Sequence, residues 1–559
     1  MSNNLIMGKS IRVFCVNTGE YELFPMGTSV KDVYEKMASL VLPNAIVARV
    51  NNKAVSLNYE LYNPKRIEFI NINSSSGMRA YVRTLTFLLS AAVSELFPGS
   101  IFRLEHSVSK GYFCELHLGR PTELNDLLAV KKRMQKFILA DNPIEYIEEE
   151  TPIVVDMFRE RGRQDIVDLL TTKGSIYSGY WKMGWHIDFY YGALAVSSAA
   201  INLFDITPYF DGFILQIPNR ENPKQLQTIV PMEKLLGVFK EYLKWNKIMS
   251  LSNVGNLNTA CFRGESTNLI NISESLQEKK MAKIADAIQQ KGKVRMVLIS
   301  GPSSSGKTTF SKRIAIQLMV LGMKPVPISL DNYFVDRELT PLDDNGNYDY
   351  ESLYALDLPL FNRQLKELLN GAEVEIPRFN FSSGKKEYLG DMLKIDDQSV
   401  LILEGIHALN PALLPEIPLE STFKVYVSAL TSIALDDHNW IPTADNRLLR
   451  RIIRDYRYRG YSARETISRW DSVRSGEELW IFPFQENAEA MFNSALIFEF
   501  SVLRSFAEPI LRQVPQSCPE YTEAHRLLRF LEYFIPISDP EIPPTSLLRE
   551  FLGGSSFRY

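Results

Sequence analysis

Between residues 10 and 73 apolar and polar positions alternate with a period of two in four stretches, IRVFCV, YELF, AIVARV and IEFINI, around one helical stretch at 30–42. That period puts one side of each stretch in a core and the other in water, which predicts strands, and the small-residue break SSSG at 74–77 closes a β-rich module. From residue 78 to about 218 the pattern opens with an amphipathic helix and then mixes helices with short strands such as 111–118. Residues 219–274 read as a connector with a helix near 231–246, and a further helix at 274–290 leads into a block, 275–510, of different character. Four short apolar runs, 294–300, 325–330, 400–403 and 423–427, alternate there with loops and helical stretches. Parallel strands need long crossovers, so this alternation predicts a parallel sheet with helices on both faces. A tail, 511–559, carries a helix at 521–534, the run ISDPEIPPTS and a short terminal helix. The expected fold class is multidomain α/β.

Composition narrows this picture. A chain of 559 residues exceeds a single core, and 45% hydrophobic with 23% charged residues is the balance of a soluble globular protein. The formal net charge of −4 argues against strong non-specific nucleic-acid binding. Cys15, Cys114, Cys261 and Cys518 have no paired spacing, so neither a disulfide framework nor a cysteine zinc site is expected, and a reducing compartment fits. The start, MSNNLIMGKSIRVF, lacks a signal-peptide core, and the apolar run 82–97 contains Thr84 and Glu95, too short and polar for a bilayer. The expectation is a cytoplasmic protein without a membrane span. Oligomeric state stays open.

The densest chemical signal follows the run 294–300: Gly301, Pro302, Ser303, Ser304, Ser305, Gly306, Lys307 and Thr308, with Thr309 next. A glycine-rich turn between strand and helix points backbone N–H groups at phosphate oxygens, and the helix adds its positive end. Lys307 can then reach the β- and γ-phosphates and the Thr308 hydroxyl can ligate Mg²⁺, which implies ATP and Mg²⁺ as bound species. Ligands in open α/β sheets lie off the carboxyl ends of the strands. Asp331 and Glu404 end two of the apolar runs, so Asp331 is a candidate to take the proton of an attacking hydroxyl and Glu404 to complete the metal's surroundings. His407 reads as structural. From Arg447 to Arg474 there are nine arginines, no lysine and three acids, a comb suited to bidentate phosphate contacts; Arg450 and Arg454 are its candidate catalytic members and Arg447 a candidate substrate contact. In the insertion that includes DDNGNYDYE, Asp349 is a candidate for vicinal hydroxyls, and Arg378, Phe379 and Phe381 for surrounding a base, with Tyr333 beside Asp331.

The ordered set GPSSSGKTT, SLDNYF, NYDYE, LEGIH and RLLRRIIRD resembles the uridine kinase and phosphoribulokinase family over about residues 275–510. The resemblance implies ATP-dependent phosphorylation of a nucleoside 5′-hydroxyl, with Lys307 and Thr308 on ATP and Mg²⁺, Asp331 on the hydroxyl, Asp349 on the ribose and the arginine helix as a closing lid. Pyrimidine nucleoside kinases read the base with a tyrosine and a histidine; here the equivalent run, RFNFSSG, has neither, which leaves a sugar phosphate or another alcohol as an alternative acceptor. Residues 10–73 resemble the β-grasp TGS module, and 78–218, through LEHSVSKGYFCEL, the α+β second additional (editing) domain of threonyl-tRNA synthetase. Where that domain carries metal-binding histidines this chain has Arg83 and Phe87, which implies binding or regulation without metal-dependent deacylation. The front half also leaves open a reading as a nucleotide-switched protein that binds tRNA. The whole arrangement resembles bacterial nucleoside kinases that fuse these modules.

Overall fold

The computed structural model describes residues 10–343 and 346–558. Residues 1–9, part of the leader reading, and Asp344 and Asn345 of DDNGNYDYE lie outside the described residues.

Residues 10–70 form a five-stranded sheet in the order Glu20–Pro25, Ser10–Cys15, Lys65–Ile70, Val47–Val50, Lys53–Val55. Alternation works as the pattern requires: Ile11, Val13, Cys15, Ile67 and Phe69 face a core closed by Val30 and Val33 of the helix Val30–Met37. That helix starts in a reciprocal cap, in which the Asp32 N–H donates to Ser29 Oγ (3.1 Å) and the Ser29 N–H to the Asp32 carboxylate (3.3 Å). It ends at Met37, five residues short of position 42, with the Ala38 N–H donating to the Tyr34 carbonyl.

The helix Ser75–Leu96 departs from its expected amphipathic character. Its residues from Tyr81 to Val93 are buried except Arg83, because a four-stranded sheet (Asp205–Tyr209, Gly212–Gln216, Gly111–His117, Ile101–Val108) and the helix Leu124–Leu139 pack around it. A helix enclosed on all sides cannot keep a polar face.

The second half is built on a five-stranded parallel sheet ordered Lys324–Ser329, Ser399–Glu404, Met296–Ser300, Thr422–Ser428, Ala490–Asn493. Val297, Ile299, Val400 and Ile402 pack on helices Ser266–Lys291 and Lys307–Val320, while Met296, Leu298, Leu401 and Leu403 pack under Leu358–Leu369. Both faces are covered, so these strands read as continuous apolar runs. The strand Ala490–Asn493 was not expected, for its four residues carry neither a long apolar run nor turn punctuation. Residues 219–274 carry two helices, Glu233–Ile248 and Val254–Phe262, and the start of a third, Ser266–Lys291, which takes in the helix expected at 274–290. The tail helix Tyr521–Leu531 packs on Glu499–Leu511 through Phe530 and Phe500, with ring centroids 5.2 Å apart. Among the described residues no helix is long and apolar enough to cross a membrane.

The loop between Thr422–Ser428 and the arginine helix Thr443–Arg454 inserts into the front half. His438 Nδ1 meets Asp188 at 2.6 Å, and the Arg163 guanidinium reaches Asp188 and Asp165, both at 2.8 Å, and Asp436 at 3.6 Å. Burial raises the Asp436 carboxyl to about 7, whereas Arg163 and His438 hold Asp188 far below the usual carboxylate range against its burial. Arg163→Ala would leave Asp165 and Asp436 without their guanidinium partner and Asp188 with His438 as its ionic partner. We expect a loss of about 3–5 kcal/mol, read as a lower urea midpoint, since removing one partner of a buried ionic network leaves uncompensated charge; an unchanged midpoint would show that the network contributes nothing.

Candidate active site

Parallel register brings Ser329, Glu404, Ile299 and Val425 level near the carboxyl end of the sheet, and the loop 301–306 leaves from its central strand. A Cβ on Gly301 would lie 1.9 Å from the Val427 carbonyl oxygen, so only glycine allows the loop to leave this close to the neighbouring strand. Ser304 (φ 58°) and Gly306 (φ 83°) take left-handed backbone, the alternation that curls successive N–H groups into a concave nest. Ser304 Oγ and Ser305 Oγ are buried with no hydrogen-bond partner among the described residues, which suits a cradle whose ligand is an anion. Lys307 lies across the loop, its ammonium donating to the Pro302 carbonyl at 3.1 Å. Thr308 is half-buried at the start of the helix Lys307–Val320, and Thr309 is buried behind it. Loop, lysine and hydroxyl fit a magnesium nucleotide.

The arginine helix stands behind this loop. Arg447 donates to the Ser303 carbonyl (3.1 Å) and forks onto Glu477, whose other role is to accept the Ser303 N–H (3.0 Å). Arg450 forks onto Glu499 and donates to the Ser494 carbonyl (2.9 Å), with its Nη1 towards the Ser304 carbonyl (3.4 Å). Both arginines are at most 1% exposed. The expectation of Arg450 as catalytic and Arg447 as a substrate contact is corrected: their guanidinium groups are engaged by buried carboxylates and loop carbonyls, with the Arg447 Nε left without a partner among the described residues. Arg451 donates to Ser303 Oγ (2.9 Å). Arg454, paired with Asp455 (2.9 Å), remains on the cleft side, where with Arg459 its charge acts on Asp331.

Asp331 lies two residues past the end of the strand Lys324–Ser329, in the short 3-10 turn Leu330–Tyr333, and is half-buried; desolvation raises its carboxyl, opposed by Lys307, Arg459 and Arg454. Burial likewise pushes Glu404 up to about 7, against Lys307 and with Asp331 and Glu550 adding repulsion. A third acid, Glu351, is held at about 7 by burial against the Arg451 charge, with Lys307 and Asp331 also acting on it. Glu351 was overlooked in favour of Asp349, whose Oδ1 accepts the Glu351 N–H (3.1 Å) and so shapes the turn that delivers it. It packs so closely on Gly476 that a Cβ there would lie 2.4 Å from its own.

Tyr333 does not face the cleft, contrary to its expected substrate role. It is 1% exposed, its hydroxyl donates to Gln364 Oε1 (2.9 Å), and its ring meets Phe361 edge to face, because the turn after Asp331 directs it into the core. Arg378 is exposed on the hairpin Arg378–Asn380/Lys385–Glu387, paired with Asp391. Phe379 joins Phe334 and Phe381 in an aromatic group (5.6 and 5.2 Å), and the Arg459 guanidinium lies 5.6 Å from the Phe381 ring, so the hairpin forms a rim on the Asp331 side. His407 is buried, and desolvation lowers its imidazole to about 4.

A phosphate loop with a lysine at its helix start, and carboxylates at two adjacent strand ends, defines a P-loop phosphotransferase. Residues 296–497 match the sequence model of the phosphoribulokinase / uridine kinase family. A uridine kinase of Staphylococcus aureus is 31% identical over 192 residues, 34% of this chain and 83% of that protein; one of Staphylococcus epidermidis is 29% identical over the same extent. A solved structure described as a possible uridine kinase from Bacillus stearothermophilus aligns with a TM-score of 0.27 and 17% identity over 38% of this chain and 98% of its own. The chain belongs to the phosphoribulokinase / uridine kinase family. It is an ATP-dependent phosphotransferase acting on a small molecule.

The raised acids make stability depend on pH. Glu404 titrates near 4.5 in the unfolded chain and at about 7 in the folded one, so the folded state binds more protons between these values and stability falls as pH rises through them. Denaturant unfolding of the ligand-free chain across that window should show this decline, and Glu404→Gln should flatten it; an equal slope in the variant would refute the assignment.

Proposed function

We propose that this kinase transfers the γ-phosphoryl group of ATP to the 5′-hydroxyl of a nucleoside. The observation that carries the reading is Asp331: a half-buried carboxylate at a strand end, within the field of the phosphate-loop lysine, beside an aromatic rim. Burial makes such a carboxylate a stronger base, and Lys307, Arg454 and Arg459 keep it from becoming permanently protonated. Asp331 takes the proton of the acceptor hydroxyl as its oxygen bonds to the γ-phosphorus and the bond to the β,γ-bridging oxygen breaks, releasing ADP. The loop N–H groups and Lys307 hold the phosphate oxygens in line, so that catalysis is positioning and charge neutralisation. Thr308 Oγ and, through water, Glu404 would hold the magnesium ion, which supplies further charge neutralisation when bound. Asp349 and Glu351 serve the acceptor's hydroxyls, and Phe379 and Phe381 offer faces for a base.

The missing base-reading tyrosine and histidine favour a second acceptor class, a sugar phosphate or another alcohol, in the same cleft. For the front half we take residues 10–73 as a TGS-like module and 78–218 as a synthetase-like domain kept for binding or regulation. Arg83 donates to the Ala193 carbonyl (2.9 Å) and Phe87 packs on His186 (4.9 Å between centroids), so this helix face is engaged in packing.

Asp331→Asn should lower kcat by about 10²–10⁴-fold while MgATP affinity stays near that of the wild type, as for loss of a general base. Near wild-type turnover would remove Asp331 from this role. A panel of the four ribonucleosides, their deoxy forms and ribulose 5-phosphate, assayed with ATP, decides the acceptor: turnover of the sugar phosphate alone would replace the nucleoside reading with the second one.

A further inference from the structure

The tail returns to the phosphate loop. Leu547 is fully buried in the core shared by Phe310, Ile314 and Phe492, and its Cδ2 lies 3.5 Å from where a Cβ on Gly306 would stand. Phe551 is fully buried, 5.1 Å under the Arg450 guanidinium, and Arg549 donates to the carbonyls of Asp539 (2.8 Å) and Ile542 (2.7 Å). Between these anchors Glu550 turns its half-buried carboxylate onto Thr309, accepting from the Thr309 N–H at 3.2 Å and from its Oγ at 2.7 Å. That N–H belongs to the first turn of the helix Lys307–Val320, where backbone donors have no intrahelical acceptor and the helix dipole favours an anion. In a phosphate loop those donors face a nucleotide phosphate. Glu550 is also near enough to Glu404 to add to the repulsion on it. Two carboxylates thus crowd a site built for phosphate.

We propose that Glu550 is an intramolecular competitor for the nucleotide's phosphates, so that ATP binding requires its carboxylate to leave Thr309. Leu547 and Phe551 hold the backbone in place on either side, so the side chain swings out while the segment stays, and it returns when the nucleotide departs. The tail thereby sets the nucleotide affinity of the whole chain. This inference rests on the ATP-binding reading of the same loop.

Calorimetric titration of the full-length wild type, Glu550→Gln and Glu550→Asp with MgATP tests it. Glu550→Gln should bind about ten-fold tighter, the scale of one charge-assisted hydrogen bond no longer opposing the ligand. Glu550→Asp, one methylene shorter, should fall between the two. The gain should persist with AMP and vanish with adenosine, which has no phosphate. Wild-type binding that Glu550→Gln leaves unchanged or weakens overturns the competitor while leaving the kinase reading intact. No MgATP binding by either protein overturns both. Should Glu550→Gln fail to fold, Glu550→Asp decides alone: tighter binding than wild type supports the proposal, and equal or weaker binding overturns it.

Discussion

Two fully buried arginine–glutamate forks, Arg447 with Glu477 and Arg450 with Glu499, hold the phosphate loop from behind. A loop that presents its N–H groups inward to a ligand must turn carbonyl oxygens outward, and those carbonyls need donors of their own. Ser303 and Ser304 find them in these guanidinium groups. The glutamates are what make burying such donors tolerable, for an unpaired guanidinium in that position would carry an uncompensated charge. Arginine rather than lysine is required here, because one planar fork has to serve a carboxylate and a carbonyl at once. Preorganisation of the cradle therefore depends on charges that never meet the substrate.

The reacting side has the opposite arrangement. Asp331, Glu351 and Glu404 are acids gathered around Lys307 with no tight ion pair between any of them and that lysine, and each is held above its ordinary range by desolvation. Such a cluster is unfavourable in the ligand-free chain and becomes favourable when cationic or proton-bearing ligands enter. Charge is satisfied permanently behind the loop and left unsatisfied in front of it. That asymmetry separates the groups that build the site from those available to act in it.

Much of this was legible from the chain. The phosphate loop follows from Gly301, Gly306, Lys307 and the apolar run before them, and the strand-end positions of Asp331 and Glu404 follow from parallel-sheet geometry. The arginine comb was legible as a helix but not in its orientation. Periodicity shows that Arg447, Arg450 and Arg454 share a face, yet whether that face meets phosphate or buried acid depends on Glu477 and Glu499, which lie 30 and 49 residues on with no local signature. Tyr333 was misplaced because proximity in sequence to Asp331 says nothing about which way a tight turn directs a side chain. Glu550 was beyond reach for the same reason as Glu477: its partner, Thr309, is 241 residues away.

The burial of the arginine helix also limits how the site can close. Leu448, Leu449, Ile452 and Ile453 belong to the core that includes Val254, Phe500 and Leu527. Its start is tied by Asp445 to Arg526 (2.7 Å), and Glu523, which pairs with Arg526, also pairs with Arg79 of the front half (2.8 Å). The loop before it is locked by Arg163, Asp188 and His438. A lid consisting of the whole helix would have to break all of these together, so the expected closing motion cannot be a rigid swing of that helix. Beyond Arg454, residues 455–459 form a single π-helical turn, a geometry that often marks functional sites, anchored by the buried Asp455 but with Tyr456 and Tyr458 exposed and the Arg459 guanidinium 3.7 Å from Asp455 and 5.6 Å from the Phe381 ring. A closing motion that leaves those contacts intact would be confined to this turn and the residues after it.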